Sequence, residues 1–445
     1  MSKISRRSFL GSLAGASLAV PYFGWKTAAR GQAPSETVRV AAFGGHGRAF
    51  SDILGAMGHK NTVLVAVAEV DEKRTNRVRE KYPDTKVYLD WRELLDKEEN
   101  NIDVVVVGTP DHMHAPISMS AMQLGKHVYC EKPLTRTLHE ARQMTEFAAE
   151  HNLRTQMGNQ LASSSGNKAT AKALTDKMIG RILSIHCMCP KSWGSMKPLP
   201  EPSEVPEGLD WDQWIGVGKM RPYVKGEFHP GQWRKRIGFG TGALGDMACH
   251  IVHPWVKGLN APAPLSVKSV GPGPVDDVSW PLDGRIEYRM AGNDLSGGDF
   301  DYTWHDGTNK PSDELAELVG GWENVPKMGT VIIGREGVIT ANHGKDSLPK
   351  IYRDKKRTEE VIEPPPSADH HGEWIDAVLG RTKETVCDFS YAGPMTETVL
   401  LGTVAMLNPG EELKWNSEKL RFTNSKKANK LVRDKYRKGW EVKGL

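Results

Sequence analysis

Cysteine is scarce: Cys130, Cys187, Cys189, Cys249 and Cys387 are the five in 445 residues, odd in number, scattered, and without paired zinc-ligand spacing. Neither a disulfide framework nor a structural zinc site organises the chain. Charge of one sign is lacking too. Lys and Arg number 59 against 55 Asp and Glu, a net charge of +4 that is too thin over this length for a polyanion footprint, so no nucleic acid partner is expected. No apolar run approaches the roughly 20 residues that span a bilayer. What remains is a chain 38% hydrophobic and 26% charged, the composition of a soluble globular protein. Its length suits about two to three domains at roughly 150 residues each.

The N-terminus reads as an address. Ser5-Arg6-Arg7-Ser8-Phe9-Leu10-Gly11 leads into small and apolar residues up to Val20, and an Ala/Gly-rich tract ends near Ala29 or Ala33. The apolar stretch 9–20 is 12 residues long, which excludes a stable membrane span and fits a twin-arginine export signal over residues 1–33. That signal implies the twin-arginine translocase as a transient partner and a periplasmic or extracytoplasmic location in a bacterium. Because this route carries folded proteins, a nucleotide cofactor would travel with the chain, tightly bound.

Residues 34–158 are expected to form an NAD-binding Rossmann domain. A β-type run at 37–43 is followed by Gly44-Gly45-His46-Gly47-Arg48, a helix-like stretch to Met57, and a second β-rich run at 63–70 that contains Glu69. Glu69 lies 22 residues beyond Gly47, where a carboxylate accepts from a ribose 2′-hydroxyl and would repel a 2′-phosphate; NAD is therefore favoured over NADP. The first fingerprint position is Ala42, tolerable while φ stays negative. Gly44, Gly45, Gly47 and Arg48 make the expected pyrophosphate turn at a helix N-terminus. A third strand at 103–107 opens into Gly108-Thr109-Pro110-Asp111-His112-Met113-His114 at the ligand-binding edge of the sheet. His112 and His114 lack a third ligand, and no metal is expected. A helix at 115–124 and a strand at 127–130 bring Glu131-Lys132-Pro133 to the same edge.

Farther along, Gly240-Thr241-Gly242-Ala243-Leu244-Gly245-Asp246-Met247-Ala248-Cys249-His250 introduces a helix with Asp246 and His250 four apart, on one face. Oxidising a carbinol carbon requires its hydroxyl proton to leave, and a neutral imidazole with a pKa of about 6.5 is suited to take it. A fixed ammonium in a drying pocket stabilises the developing alkoxide.

Together, the Gly turn, Thr109-Pro110-Asp111-x-x-His114, Glu131-Lys132-Pro133 and Asp246-x-x-x-His250 resemble the Gfo/Idh/MocA oxidoreductases over most of the chain after residue 33. The resemblance implies an α/β Rossmann domain plus an α+β domain with a large, mostly antiparallel sheet that shapes a sugar site and often mediates homo-oligomers. It places Lys132, Asp246 and His250 at catalytic positions: His250 as base, Lys132 as the cation on the alkoxide, Asp246 orienting the imidazole. Ala42, Gly44, Gly45, Gly47, Arg48, Glu69, Thr109, Pro110, His114, Glu131 and Lys132 are the expected cofactor contacts.

Residues 159–445 are expected to be the second domain with a basic tail. After a strand at 182–188, the Pro/Gly/Trp-rich segment 190–222 leads to Tyr223, Trp233 and Arg234, which with Asn159 and Gln160 are read as substrate contacts. Strands follow at 284–290, 300–304 and 330–339. His370 and His371 read as structural, and the tail 426–443 as a solvated segment docked by Tyr436 and Trp440. The expected function is an exported, NAD-dependent oxidoreductase acting on a secondary hydroxyl of a sugar, polyol or glycoside. NADH formed outside the cell has no pool to exchange with, so the alternative is a redox-neutral glycosidase or epimerase working through a transient keto-sugar. A sugar sensor that keeps the dinucleotide only structurally is disfavoured by intact Lys132 and His250.

Overall fold

The computed structural model describes residues 36–445 except residue 346; the expected export signal lies outside them. Among the described residues, β1 (Val38–Phe43), β2 (Thr62–Ala68), β3 (Lys86–Tyr88), β4 (Val104–Val107), β5 (His127–Glu131) and β6 (Thr155–Gly158) form one parallel sheet in the order β3-β2-β1-β4-β5-β6. β4 is Val at every position and buried throughout, the pattern of a parallel strand covered on both faces. The order reverses between β1 and β4, which opens a crevice above their carboxyl ends. β3 corrects the sequence reading, in which 103–107 was the third strand. It is three residues long, none of them fully buried, too short to show a period.

One face of this sheet packs on Phe50 and Ile53 of the helix Arg48–Met57, and on Trp374 and Ile375 of the helix His370–Val378. A segment more than 200 residues past β6 thus completes the core of the first half.

The second sheet runs through β7 (Ile182–Cys189), β8 (Pro264–Ser269), β9 (Arg285–Met290), β10 (Phe300–Asp306), β11 (Gly329–Gly334), β12 (Val338–Asn342), β13 (Lys350–Arg353), β14 (Lys356–Arg357), β15 (Leu413–Asn416) and β16 (Arg421–Phe422). Its order is β14-β13-β12-β11-β7-β10-β9-β8-β15-β16, antiparallel except where β7 meets β10. The expected single strand at 330–339 is two, because the Gly334 N–H bonds the Gly337 carbonyl at 2.9 Å and turns the chain back. The helix Gly242–Gly258 is buried along most of its length, with Trp255 packed on Phe300 and Tyr302. The fold is a Rossmann domain joined to an α+β domain with a large, mostly antiparallel sheet.

The basic tail docks by its aromatics. Tyr436 Oη donates to Glu140 Oε1 at 2.6 Å, and the Arg92 guanidinium lies 4.1 Å from the Trp440 ring centroid. No described helix is long and apolar enough to cross a membrane.

Candidate active site

The crevice is shaped first by close backbone approach. Gly44 and Gly47 have φ of 98° and 58°, in the region that favours glycine. A Cβ on Gly44 would stand 2.8 Å from Ala49 Cβ and 3.3 Å from the Gly108 carbonyl oxygen, so β1, the first helix and the end of β4 meet too tightly for a side chain. Gly47 caps the helix Arg48–Met57 without a side-chain bond, leaving first-turn N–H groups free for an anion. Glu69 Oε2 accepts the Gly45 N–H at 2.9 Å and Oε1 accepts the Asp71 N–H at 3.1 Å. Burial raises its pKa, with these two amides acting in opposition.

Gly44, Gly47, Arg48, Glu69, Thr109 and Pro110 line a cavity of about 220 Å³. Three buried polar atoms on its lining residues have no partner among the described residues: Thr109 Oγ1, Trp91 Nε1 and Gln213 Oε1. Each such orphan costs roughly 1–3 kcal/mol unless a ligand meets it. Free helix N–H groups, a carboxylate at the ribose position and unmet donors and acceptors fit a dinucleotide.

Other expected cofactor residues are placed differently. Ala42 is wholly buried within β1 and acts as a spacer. His114 has Nδ1 2.8 Å from the Pro133 carbonyl and Nε2 2.9 Å from the Thr109 carbonyl; burial lowers its pKa, so the neutral ring donates to one of these acceptors while both nitrogens face the crevice loops. Glu131 is buried, and desolvation and then Asp52 push its carboxyl above the usual range, against Lys132 and Arg48. Its Oε1 accepts Gln160 Nε2 at 2.6 Å. Gln160 also donates to Tyr129 Oη at 2.8 Å. Expected as a substrate contact, Gln160 is instead spent on bracing the first sheet, as is Glu131.

Lys132, Asp246 and His250 do come together. Lys132 Nζ donates to Asp246 Oδ1 at 2.8 Å and to the Asp246 carbonyl at 2.6 Å. Arg234 Nε reaches the same Oδ1 at 3.2 Å, Trp193 Nε1 donates to Oδ2 at 2.9 Å, and Lys191 Nζ is 3.7 Å from Oδ2. Burial alone would raise the Asp246 carboxyl, but Lys132 and then Arg234 override it and hold it well below the usual range.

The partner of His250 is Asn159, a correction to the expected role of Asp246. The imidazole Nδ1 lies 2.6 Å from Asn159 Oδ1, while Asn159 Nδ2 donates to the Cys249 carbonyl at 2.8 Å. A carbonyl only accepts, so it fixes the amide nitrogen on its side and turns Oδ1 toward the ring; Nδ1 then carries the proton and Nε2 is left basic. Desolvation, then Lys132, then His343 push the His250 pKa well below its ordinary value. Asn159 is fully buried and orients the His250 ring; it was expected to touch substrate. Thr241, the N-cap of the helix, donates to Asp111 Oδ2 at 2.6 Å. The first half therefore holds this helix at three points: Asp111, Lys132 and Asn159.

Tyr223 is a second correction. It packs edge-on against Trp211 at 5.1 Å, inside a small core with Trp214, Phe228, Trp233 and Phe239, and makes no sugar platform. Trp233 belongs to that core and supports Arg234, whose guanidinium lies 4.2 Å from its ring centroid. Lys191 and His343 were not read from the sequence. They reach the site from loops after β7 and β12, with no motif around them.

Residues 38–159 match the model of the Gfo/Idh/MocA family described as an oxidoreductase family with an NAD-binding Rossmann fold. Residues 188–291 match the model of its C-terminal alpha/beta domain. Levoglucosan dehydrogenase of Pseudarthrobacter phenanthrenivorans is 29% identical over 163 residues, 37% of this chain and 34% of that protein. Alpha-N-acetylgalactosaminidase of Shewanella oneidensis is 33% identical over 122 residues, 25% of this chain and 26% of that protein. The chain thus matches only about a quarter to a third of the length of these relatives. The solved aldose-aldose oxidoreductase of Caulobacter crescentus, complexed with glycerol, has a TM-score of 0.58 at 14% identity, covering 85% of this chain and 100% of that one, a likeness of fold. With the two family matches taking in just over half of its length and the Lys132, Asp246 and His250 geometry in place, the chain belongs to the Gfo/Idh/MocA family of NAD-binding oxidoreductases.

Proposed function

We propose that the protein is an exported, NAD-dependent oxidoreductase acting on a secondary hydroxyl of a sugar, polyol or glycoside, with its cofactor bound tightly enough to travel with it. The observation that carries this reading is the His250–Asn159 bond at 2.6 Å, which makes Nε2 an uncharged base on the helix whose Asp246 fixes Lys132. When bound, NAD supplies the hydride acceptor. The chain's own residues do the rest. His250 Nε2 takes the hydroxyl proton, and Lys132, steadied by Asp246, offers a fixed positive charge to the alkoxide. Arg234 and Trp193, both bonded to Asp246, have surfaces suited to a sugar's hydroxyls and ring face. A relative named for levoglucosan dehydrogenation supports the substrate class, and Arg6-Arg7 with the following apolar stretch supports export. A homo-oligomer is expected, with size measured by light scattering.

The experiment is to purify the protein without added cofactor, measure bound NAD, and then supply assorted sugars and glycosides. Net NADH formation supports the dehydrogenase. Protein that emerges empty and gains no thermal stability from NAD overturns the retained-cofactor reading. The relative named as a glycosidase favours a second reading, a redox-neutral glycosidase or epimerase working through a transient keto-sugar; sugar release or epimerisation without NADH would establish it in place of the first.

A further inference from the structure

The end of the cavity lined by Glu69, Val70 and Arg74 is bordered by the second half of the chain, through Gln213, Trp214 and His229. Leu209 pairs with Asp71 as an isolated bridge, the Asp210 N–H bonds the Val70 carbonyl and the Glu72 N–H bonds the Gly208 carbonyl, both at 2.9 Å. His229 Nε2 lies 2.9 Å from Asp71 Oδ2. This crossing segment is stiffened by its own aromatic core, with Trp211 and Trp214 stacked at 4.7 Å, so it sits over the crevice as a rigid piece.

Gln213, in this segment, lines the cavity together with Trp91 of the first half. Gln213 Nε2 donates to Asp90 Oδ2 at 2.9 Å. Asp90 is itself forked by Arg92. An ionised carboxylate only accepts, so the amide nitrogen must face Asp90 and Oε1 is left over. Among the described residues that oxygen is buried without a partner, and so is the indole N–H of Trp91, the next residue after Asp90. One unmet acceptor and one unmet donor, on two residues that line the same cavity, are complementary to adenine, whose exocyclic amino group donates and whose ring nitrogens accept. Hypoxanthine, with an oxygen in place of that amino group, would set acceptor against acceptor.

We propose that residues 209–234 form an adenosine clamp, in which Gln213 Oε1 accepts from the adenine amino group and the Trp91 indole donates to an adenine ring nitrogen. Purine recognition then comes from both halves of the chain, and release of the dinucleotide requires the Asp71–His229 contact to part. The inference rests on the dinucleotide occupying this cavity.

The test is competition on the full-length purified protein: incubation with an excess of equal parts NAD and nicotinamide hypoxanthine dinucleotide until the bound ratio no longer changes, followed by mass-spectrometric measurement of what stays bound. Wild type is expected to retain NAD over the analogue by about tenfold, the scale of one buried hydrogen bond lost to an unpaired acceptor. Gln213→Leu is expected to bring that ratio within about twofold and to speed the release of NAD. A wild-type ratio near one overturns the clamp whether or not the variant folds, and so does a Gln213→Leu protein that keeps the wild-type ratio. Wild-type protein that takes up neither dinucleotide overturns the cofactor reading itself, and the clamp with it.

Discussion

His250 and Asn159 are joined at 2.6 Å through the imidazole Nδ1, and this neutral contact sets which ring nitrogen is basic. A carboxylate in the same place would stabilise the imidazolium and raise its pKa. An amide orients the ring without doing so, consistent with a base that burial keeps uncharged.

Asn159→Leu is therefore expected to lower kcat by about 10²-fold while leaving KM and bound NAD nearly unchanged. Steady-state kinetics with a parallel assay of NAD occupancy checks this. A purely structural role would move stability and KM together.

Lys132→Ala and His250→Ala are expected to abolish turnover and leave NAD occupancy nearly unchanged. The lysine variant also leaves the Asp246 carboxylate buried with Arg234 and Lys191 as its remaining cations, and is expected to lose on the order of 1–3 kcal/mol of stability by urea denaturation. A loss of bound NAD in both variants would mean that these residues hold the cofactor and do not act on substrate.

Gly44→Ala places a methyl group 2.8 Å from Ala49 Cβ on backbone with φ of 98°. The expected result is a protein about 1–3 kcal/mol less stable, whose melting temperature no longer rises with added NAD. Differential scanning fluorimetry with and without NAD reads both effects.

Acid should destabilise the fold well above the carboxylate range. Burial pushes His112, His253 and His370 down to about 3, whereas the same groups in the unfolded chain take up protons below about pH 6.5. The unfolded state then binds more protons than the native one, so stability is full above about pH 6.5 and falls as pH drops toward 3. The slope is about 1.4 kcal/mol per pH unit for each histidine. Urea melts across that window measure it, and a flat profile between pH 6.5 and 4 would contradict the burial of these rings.

What the sequence revealed follows from what is local in it. The strand, Gly turn, helix, strand and acid order of the first sheet is written in consecutive residues, and Asp246 and His250 share a helix face by spacing alone. Asn159, Lys191, Trp193 and His343 reach the site from strand ends and loops far apart in the chain, and their roles depend on where the second sheet carries those loops. Tyr223 and Gln160 have the chemistry of ligand contacts, yet burial commits one to an aromatic core and hydrogen bonding commits the other to Glu131 and Tyr129. A side chain's type names the bonds it is able to make; packing decides which it makes.

The helix His370–Val378 seats Trp374 and Ile375 on the core of the nucleotide sheet. A nascent chain that has emerged only through residue 158 would carry all six strands of that sheet with a bare oily strip where two later side chains belong. The nucleotide half then has to wait for synthesis to pass residue 378 before it can close, so cofactor loading belongs to the nearly finished polypeptide. An expression fragment cut after β6 would be sticky, and no self-sufficient nucleotide-binding module.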